Sequence, residues 1–322
     1  MTEDTPQSRI ASIDQCRGFA IVAMVGGNFA GKFAFMPWIL THHQYGLTIA
    51  ELFAPIFFFT VGIGFRLSFL KRVEREGQSA ARRAASRRYV LIMVLGFIVY
   101  LDHLWDALTH IGMAGLLVLP FIDRGPRVRA LVAVLYVALF QVLFLWTDYG
   151  PWLMARRLNG GPLGALSWAF IVLMGTLAYD ALATGRPRKV IARLLLYGLA
   201  LCAAGWLLSL GWPGLKEPWL FTRYGMTAPL PVFTAGTSFL CFLAFYWICD
   251  VRRFRFPVLS PVGENPLVMY LLLGLLVVLS KVIIHFTHEP GFWAALLIYA
   301  GMCAICYVVA RMLQKRSIHL RL

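Results

Sequence analysis

The feature that most constrains this chain is a series of ten apolar stretches separated by charged or Pro/Gly-rich segments. A stretch of about 20 apolar residues is long enough to cross a bilayer as a helix, and a backbone in lipid must satisfy its own hydrogen bonds. We therefore predict an all-α fold: a polytopic integral membrane bundle of about ten transmembrane helices, built as a single domain over residues 1–322. The stretches are 17–37, 48–69, 89–104, 106–122, 129–147, 163–183, 193–211, 230–249, 267–285 and 291–311.

The composition is also typical of a membrane protein. Hydrophobic residues make up 60% of the chain and charged residues 14%, and the mean hydropathy is +0.72. A soluble domain carries about 25% charged residues, so this chain cannot supply the polar surface of a soluble enzyme. The residues before the first stretch show no leader pattern, and we expect that stretch to remain in the membrane.

The net charge of +15 follows from the order of the segments. If the N-terminus is cytoplasmic, 24 of the 30 Lys and Arg residues fall in cytoplasmic segments. This asymmetry predicts that both termini are cytoplasmic, and the basic pI then requires no nucleic acid partner. The densest basic run, 71–88, is either a solvated helix at an anionic membrane surface or part of a docking site for an anionic cofactor.

The cysteines predict neither a disulfide framework nor a metal site. All six fall inside the predicted spans or toward the cytoplasm. Cys303 and Cys306 have the spacing of a metal or redox pair, but they lie in an apolar stretch without a partner His or Cys nearby. We expect them to pack in the core.

Polar residues near the ends of the first stretch are the first candidates for function, because ionisable and amide groups are expensive in a bilayer. Asp14 and Arg17 stand at i and i+3 on a helix and can pair at its cytoplasmic end. Asn28 follows about 16 Å farther along the helix axis. Glycines around Asn28 permit the close approach of another backbone or of a thin ligand.

Two further clusters lie at the predicted external ends of the bundle. His42 and His43 fall between the first and second stretches, and a histidine there is either a catalytic base or a surface residue. His103, Asp106 and His110 share one face if their segment is helical, and a carboxylate beside an imidazole fits a catalytic base or a proton relay. The aromatic-rich segment 211–230 either forms an interfacial belt or covers a substrate; the residues that would cover it are Trp219, Arg223 and Tyr224.

At these positions the sequence resembles the transmembrane acyltransferases related to heparan-alpha-glucosaminide N-acetyltransferase. The resemblance is specific over about residues 9–70, where it rests on SRIASIDQCRG, on Asn28 and on YGLTIAELFAPIFFFTVG. It is weaker around WDALTHIG and around GENPLVMY, which contains Asn265. The opening motif is also similar to that of the larger class of membrane acyltransferases that act on surface polysaccharides.

The resemblance implies a membrane bundle that takes acetyl-CoA from the cytosolic side, and the short apolar loops favour a bacterial inner membrane. The acetyl group would pass to an amino or hydroxyl group of a sugar or polysaccharide acceptor on the other side. Asp14 and Arg17 would then serve acetyl-CoA binding, and Asn28 would belong to the acyl-transfer site. The family's histidine stands five residues before the glycine of the GLT turn, where this chain has Thr41, so the catalytic role falls on His42 or His43.

Other roles and partners remain open at this level. The family's Asp in the second span is replaced here by Glu51. The residues that we expect to support the site are Glu51, His103, Asp106, His110 and Asn265. A multi-span transporter or flippase of a sugar-containing or lipid-linked substrate would also place polar groups inside such a bundle. The sequence leaves the acceptor, the length of the acyl chain and the formation of a homodimer undecided.

Overall fold

The computed structural model describes residues 10–101, 104–156, 159–210, 219–286 and 291–316, and within these ranges it contains twelve α-helices and no strand. Two of the helices are short: α6 (Tyr149–Arg156) and α10 (Leu259–Glu264). A π-helical segment, Tyr246–Val251, extends α9. The long helices are α1 (Ala11–Ala30), α2 (Ala50–Glu76), α3 (Gln78–Val99), α4 (Ala107–Val118), α5 (Pro126–Trp146), α7 (Ala165–Leu182), α8 (Pro187–Ser209), α9 (Pro229–Phe245), α11 (Pro266–Phe286) and α12 (Phe292–Lys315).

The all-α prediction is confirmed, and each of the ten predicted stretches corresponds to one long helix. By length and composition, six of the described helices can cross a membrane, and two shorter apolar helices accompany them. The count of ten crossings and the cytoplasmic position of both termini remain predictions. The six are Ala50–Glu76, Pro126–Trp146, Pro162–Leu182, Pro187–Ser209, Pro229–Val251 and Phe292–Lys315, and the shorter ones are Ala107–Phe121 and Pro266–Val282.

The first helix begins earlier than its apolar stretch. We predicted a span over 17–37, and α1 runs over Ala11–Ala30. The carboxylate of Asp250 accepts hydrogen bonds from the backbone N–H groups of Ala11 and Ser12, at 3.0 and 3.3 Å. These are donors that the first turn of a helix cannot satisfy itself, so a residue distant in sequence caps α1.

The basic run 71–88 forms the turn of a helical hairpin rather than a separate surface helix. Gly77 is the one residue between α2 and α3, and its φ of 84° lies in the region that favours glycine. The arginines on either side of the turn are partly neutralised. The ion pairs are Arg72 and Arg75 with Glu76, and Arg82 with Asp123.

The helices cross where glycines let two backbones touch. At the crossing of α2 and α7, a Cβ atom on Gly62 would overlap the carbonyl oxygen of Val172, and one on Gly175 would overlap that of Phe59. Gly18 of α1 and Gly263 of α10 form a second contact of the same kind. Close packing at small residues is a main source of helix association in a membrane.

We expect Gly175→Ala to destabilise the fold, because the added methyl group has no room at the α2–α7 crossing. Overpacking of this kind lowers the free energy of unfolding by about 1–3 kcal/mol. The melting temperature of the detergent-purified protein measures the effect. Gly301→Ala is the matched control, because no atom lies within 4 Å of the position its Cβ would take. Equal melting temperatures for the two variants would contradict the proposed packing.

Candidate active site

Two cavities meet at the C-terminal end of α1. The large cavity has a volume of about 540 Å³ and the small cavity about 110 Å³. Asn28, His42 and Arg223 line both of them. These three side chains come from α1, from the segment 31–49 and from the segment 219–228, so the fold brings together residues that are distant in sequence. The large cavity is lined by Asn28, Gly31, Lys32, Phe33, Ala34, Met36, Trp38, Thr41, His42, His43 and Arg223.

The junction of the cavities contains a histidine–carboxylate pair. Nδ1 of His42 lies 2.9 Å from Oε1 of Glu51, whose side chain is only 6% exposed. In the tautomer with its proton on Nδ1, the N–H group donates a hydrogen bond to the carboxylate. Nε2 then carries a free lone pair. The ring can therefore accept a proton at Nε2, and Glu51 can stabilise the charge that results.

Nε2 of His42 faces the last turns of α1. A Cβ atom on Gly27 would lie 3.7 Å from this nitrogen, so the absence of a side chain at Gly27 leaves room for the imidazole. Asn28 is the next residue, and it is exposed to the cavities rather than buried against a neighbouring helix. The basic nitrogen and an amide side chain thus lie close to each other at the cavity junction.

Contacts with a distant segment hold the segment 31–49 in place. Gly46, at a φ of 98°, donates a backbone hydrogen bond to the carbonyl of Phe221 at 3.0 Å. Tyr45 and Thr222 form an isolated antiparallel bridge beside it. This pairing places Arg223 next to the site, with its Nε 3.9 Å from Oε2 of Glu51. The sequence-based suggestion that Arg223 covers a site agrees with this position.

His43 has different partners from those of His42. Its Nε2 lies 2.8 Å from the hydroxyl of Thr41, and its ring stacks on Trp38 with the ring centres 5.0 Å apart. Both contacts hold the ring at the wall of the large cavity. The sequence left the choice between the two histidines open, and the carboxylate partner favours His42 as the base.

Of His103, Asp106 and His110, which we expected on one helical face, the structure describes Asp106 and His110. His103 lies outside the described residues, and α4 begins after Asp106, whose carboxylate accepts the N–H of Ala107 as a cap at 2.6 Å. An aspartate before a helix satisfies free backbone donors, which explains this outcome. Nε2 of the buried His110 lies within hydrogen-bond distance of the carbonyl oxygen of Gly161, at 2.9 Å. Asp106 and His110 both line the small cavity.

Asp14 and Arg17 lie toward the other end of α1 and line neither cavity. Their predicted pairing is present, with 3.7 Å between Nη1 of Arg17 and Oδ1 of Asp14. Arg17 also donates to the carbonyls of Gly263 and Thr60, at 3.4 and 3.3 Å. These contacts tie α1 to α10 and α2. Asn265 is buried between α10 and α11 and likewise lines neither cavity.

Sequence analysis missed several residues at the site. Trp168 and Tyr270 line the small cavity, and Trp168 stacks on Phe58 at 4.1 Å between ring centres. They sit in apolar runs, so their sequence context gives no signal. Lys32 lines the large cavity, and its charge four residues after Asn28 was a signal that could have found it.

The comparison with known families shows which family the chain belongs to. The family model for the catalytic region of heparan-alpha-glucosaminide N-acetyltransferase matches residues 9–190, which is more than half of the chain. The protein belongs to this family. The match includes Asn28, His42 and Glu51, and it confirms the resemblance seen in the sequence. Membership implies a transferase and, together with the apolar helices, an integral membrane protein.

A curated relative from Bacillus acidopullulyticus is 30% identical over 141 residues, which cover 41% of this chain. It is described as an uncharacterized 39.9 kDa protein in the amylase 3′ region. The chain spans 40% of the length of that relative. The description of the relative adds no information on activity.

We expect Arg17→Ala to lower the melting temperature of the ligand-free protein, because it removes two hydrogen bonds to carbonyls and the pairing with Asp14. Hydrogen bonds to charged groups contribute about 1.5–3 kcal/mol each, so the loss is measurable by thermal unfolding in detergent. Arg72→Ala, which removes an exposed arginine of the hairpin turn, should leave the melting temperature nearly unchanged. An unchanged melting temperature in Arg17→Ala, together with weaker binding of acetyl-CoA, would instead assign Arg17 to ligand binding.

Proposed function

We propose that this protein is a membrane-bound acyltransferase. It moves an acetyl group from cytosolic acetyl-CoA to an amino or hydroxyl group of a sugar on the external side. The observation that carries the proposal is the pair of His42 and Glu51 at the junction of two cavities, beside Asn28. Membership in the family of heparan-alpha-glucosaminide N-acetyltransferases supports the same chemistry.

The two cavities fit two substrates of different size. The small cavity, at about 110 Å³, suits the acetyl thioester at the end of the thin pantetheine arm. The large cavity, at about 540 Å³, suits a sugar. The shared residues Asn28 and His42 then lie where the acetyl carbon meets the acceptor atom. Holding two reactants side by side makes their reaction effectively unimolecular and lowers its entropic barrier.

The reaction proceeds by addition and elimination. The acceptor oxygen or nitrogen attacks the thioester carbonyl and forms the new C–O or C–N bond, while its proton passes to Nε2 of His42. The amide N–H of Asn28 donates to the oxyanion that develops on the carbonyl oxygen. Collapse of this intermediate breaks the C–S bond, and the leaving sulfur takes the proton from the imidazolium. Glu51 stabilises the imidazolium between the two proton transfers.

The orientation in the membrane follows from the charges. The hairpin turn of α2 and α3 lies on the side where α1 begins, and the basic residues of its run 71–88 support a cytosolic position for that side under the positive-inside rule. The segment 31–49 and the large cavity then face outward. Acetyl-CoA reaches the junction from the cytosol and the sugar reaches it from outside. We propose a bacterial inner membrane as the location.

We expect His42→Gln to lower the rate of acetyl transfer by about 10²- to 10⁴-fold, since this is the typical contribution of a general base. His43→Gln should retain most of the activity, because His43 is held by Thr41 and Trp38 and has a hydroxyl instead of a carboxylate partner. The measurement is release of the CoA thiol from acetyl-CoA, with glucosamine and glucosamine 6-sulfate as the probe acceptors.

Binding of acetyl-CoA is the control for both variants. It should raise the melting temperature of the wild type and of both variants more than CoA or ADP does, because a specific ligand stabilises the state that it binds. If His43→Gln loses activity and His42→Gln keeps it, the base is His43. If acetyl-CoA stabilises none of the three proteins, the transporter alternative replaces the proposal.

We expect Asn28→Ala to lower kcat by about 10²- to 10³-fold, as the loss of one oxyanion donor does elsewhere. Asn28→Asp preserves the shape of the side chain but cannot donate when ionised, so it should not restore activity. The steady-state rate of CoA thiol release measures both variants. Full activity in Asn28→Asp would show that Asn28 does not act as a hydrogen-bond donor to the oxyanion.

A further inference from the structure

The large cavity is lined by cations. Lys32 and Arg223 carry positive charge at neutral pH, and the imidazoles of His42 and His43 line the same cavity. Among the described residues that line this cavity, none is acidic. A concave surface with charge of one sign concentrates ligands of the opposite sign.

The charge of Lys32 is not neutralised within the described part of the chain. Its ammonium donates to the carbonyl of Val277 at 2.7 Å and to the hydroxyl of Ser280 at 2.9 Å, and both partners are neutral. The ammonium also lies 5.7 Å from the ring centre of Phe29 and experiences the like charge of Lys281. No ion pair among the described residues includes Lys32.

Arg223 is only partly neutralised. Its Nε lies 3.9 Å from Oε2 of Glu51, while the other oxygen of that carboxylate lies 2.9 Å from His42. One carboxylate thus serves both an imidazole and a guanidinium. A guanidinium has five N–H donors in a fixed fork that matches planar anions, and this side chain is 27% exposed.

We propose that the large cavity selects sugar acceptors that carry a fixed negative charge, either a carboxylate or a sulfate or phosphate ester, and that Lys32 and Arg223 determine this specificity. The inference rests on the proposed function and names its class of acceptor. Lys32 lines the large cavity and Arg223 lines both cavities, together with His42, which would deprotonate the acceptor. The half-exposed indole of Trp38 adds an apolar surface for the sugar ring.

The test measures binding to the detergent-purified full chain without an acyl donor, at constant ionic strength. The probes are glucose, glucose 6-sulfate, glucuronic acid and adenosine 3′,5′-bisphosphate, and the readout is the melting temperature as a function of probe concentration. We expect glucose 6-sulfate or glucuronic acid to bind more tightly than glucose. The sulfate and carboxylate arms show which anion fits. The nucleotide arm tests whether the cations hold phosphates of CoA instead.

The variants assign the preference to residues. Lys32→Gln and Arg223→Gln should each weaken binding of the charged sugar by about tenfold and leave binding of glucose unchanged, since each removes one charged hydrogen bond. Arg156→Gln is the matched control, because Arg156 is exposed, packs over Trp152 and does not line the cavity. If a Gln variant does not fold, Lys32→Arg and Arg223→Lys retain the charge and should retain the preference for charged sugars.

Three outcomes would overturn the inference. They are equal binding of glucose and the charged sugars, an equal loss of binding for all the sugars in the Gln variants, and dependence of adenosine bisphosphate binding alone on Lys32 and Arg223. Turnover is measured separately. Release of the CoA thiol without any preference for charged sugars contradicts the inference and leaves the acyltransferase intact, whereas a charge preference without thiol release contradicts the acyltransferase alone.

Discussion

The bundle depends on the direct contact of helix backbones at glycines. In a bilayer the lipid is as apolar as a leucine, so helices associate through close packing and not through the hydrophobic effect. Gly62 and Gly175 bring α2 against α7, and Gly18 and Gly263 bring α1 against α10. Glu51 stands in the first turn of α2, so the crossing of α2 with α7 also sets the position of the pair of His42 and Glu51. The site geometry is therefore a consequence of backbone packing.

The carboxylate of Glu51 connects the site to the fold. A buried charge is unfavourable unless it is paired, and this carboxylate has His42 on one oxygen and Arg223 near the other. The three residues belong to α2 and to two separate loop segments. The same interaction orients the imidazole for proton transfer and holds the loop segments against the bundle.

The sequence predicted the helices well and their ends less well. The apolar stretches located every long helix, but α1 begins before its stretch because Asp250 caps it from a distance. The sequence predicted Asn28, one of His42 and His43, and Glu51 as site residues, and in the structure Asn28, His42 and Glu51 line the same small cavity. Asp106 stands before α4 as its cap and not inside the helix, so the sequence did not predict how Asp106 and His110 come to line the same small cavity.

The sequence by itself determined the all-helical membrane architecture and the residue types available for chemistry, because apolar length, charge asymmetry and motif spacing are local properties. Tertiary structure decided which histidine meets the carboxylate. Thr41, His42 and His43 are adjacent in the chain, and only the path of the segment 31–49 against α2 gives His42 the contact with Glu51. It also decided that Lys32 and Arg223 line one cavity, since they lie far apart in sequence and meet only when the helices have packed.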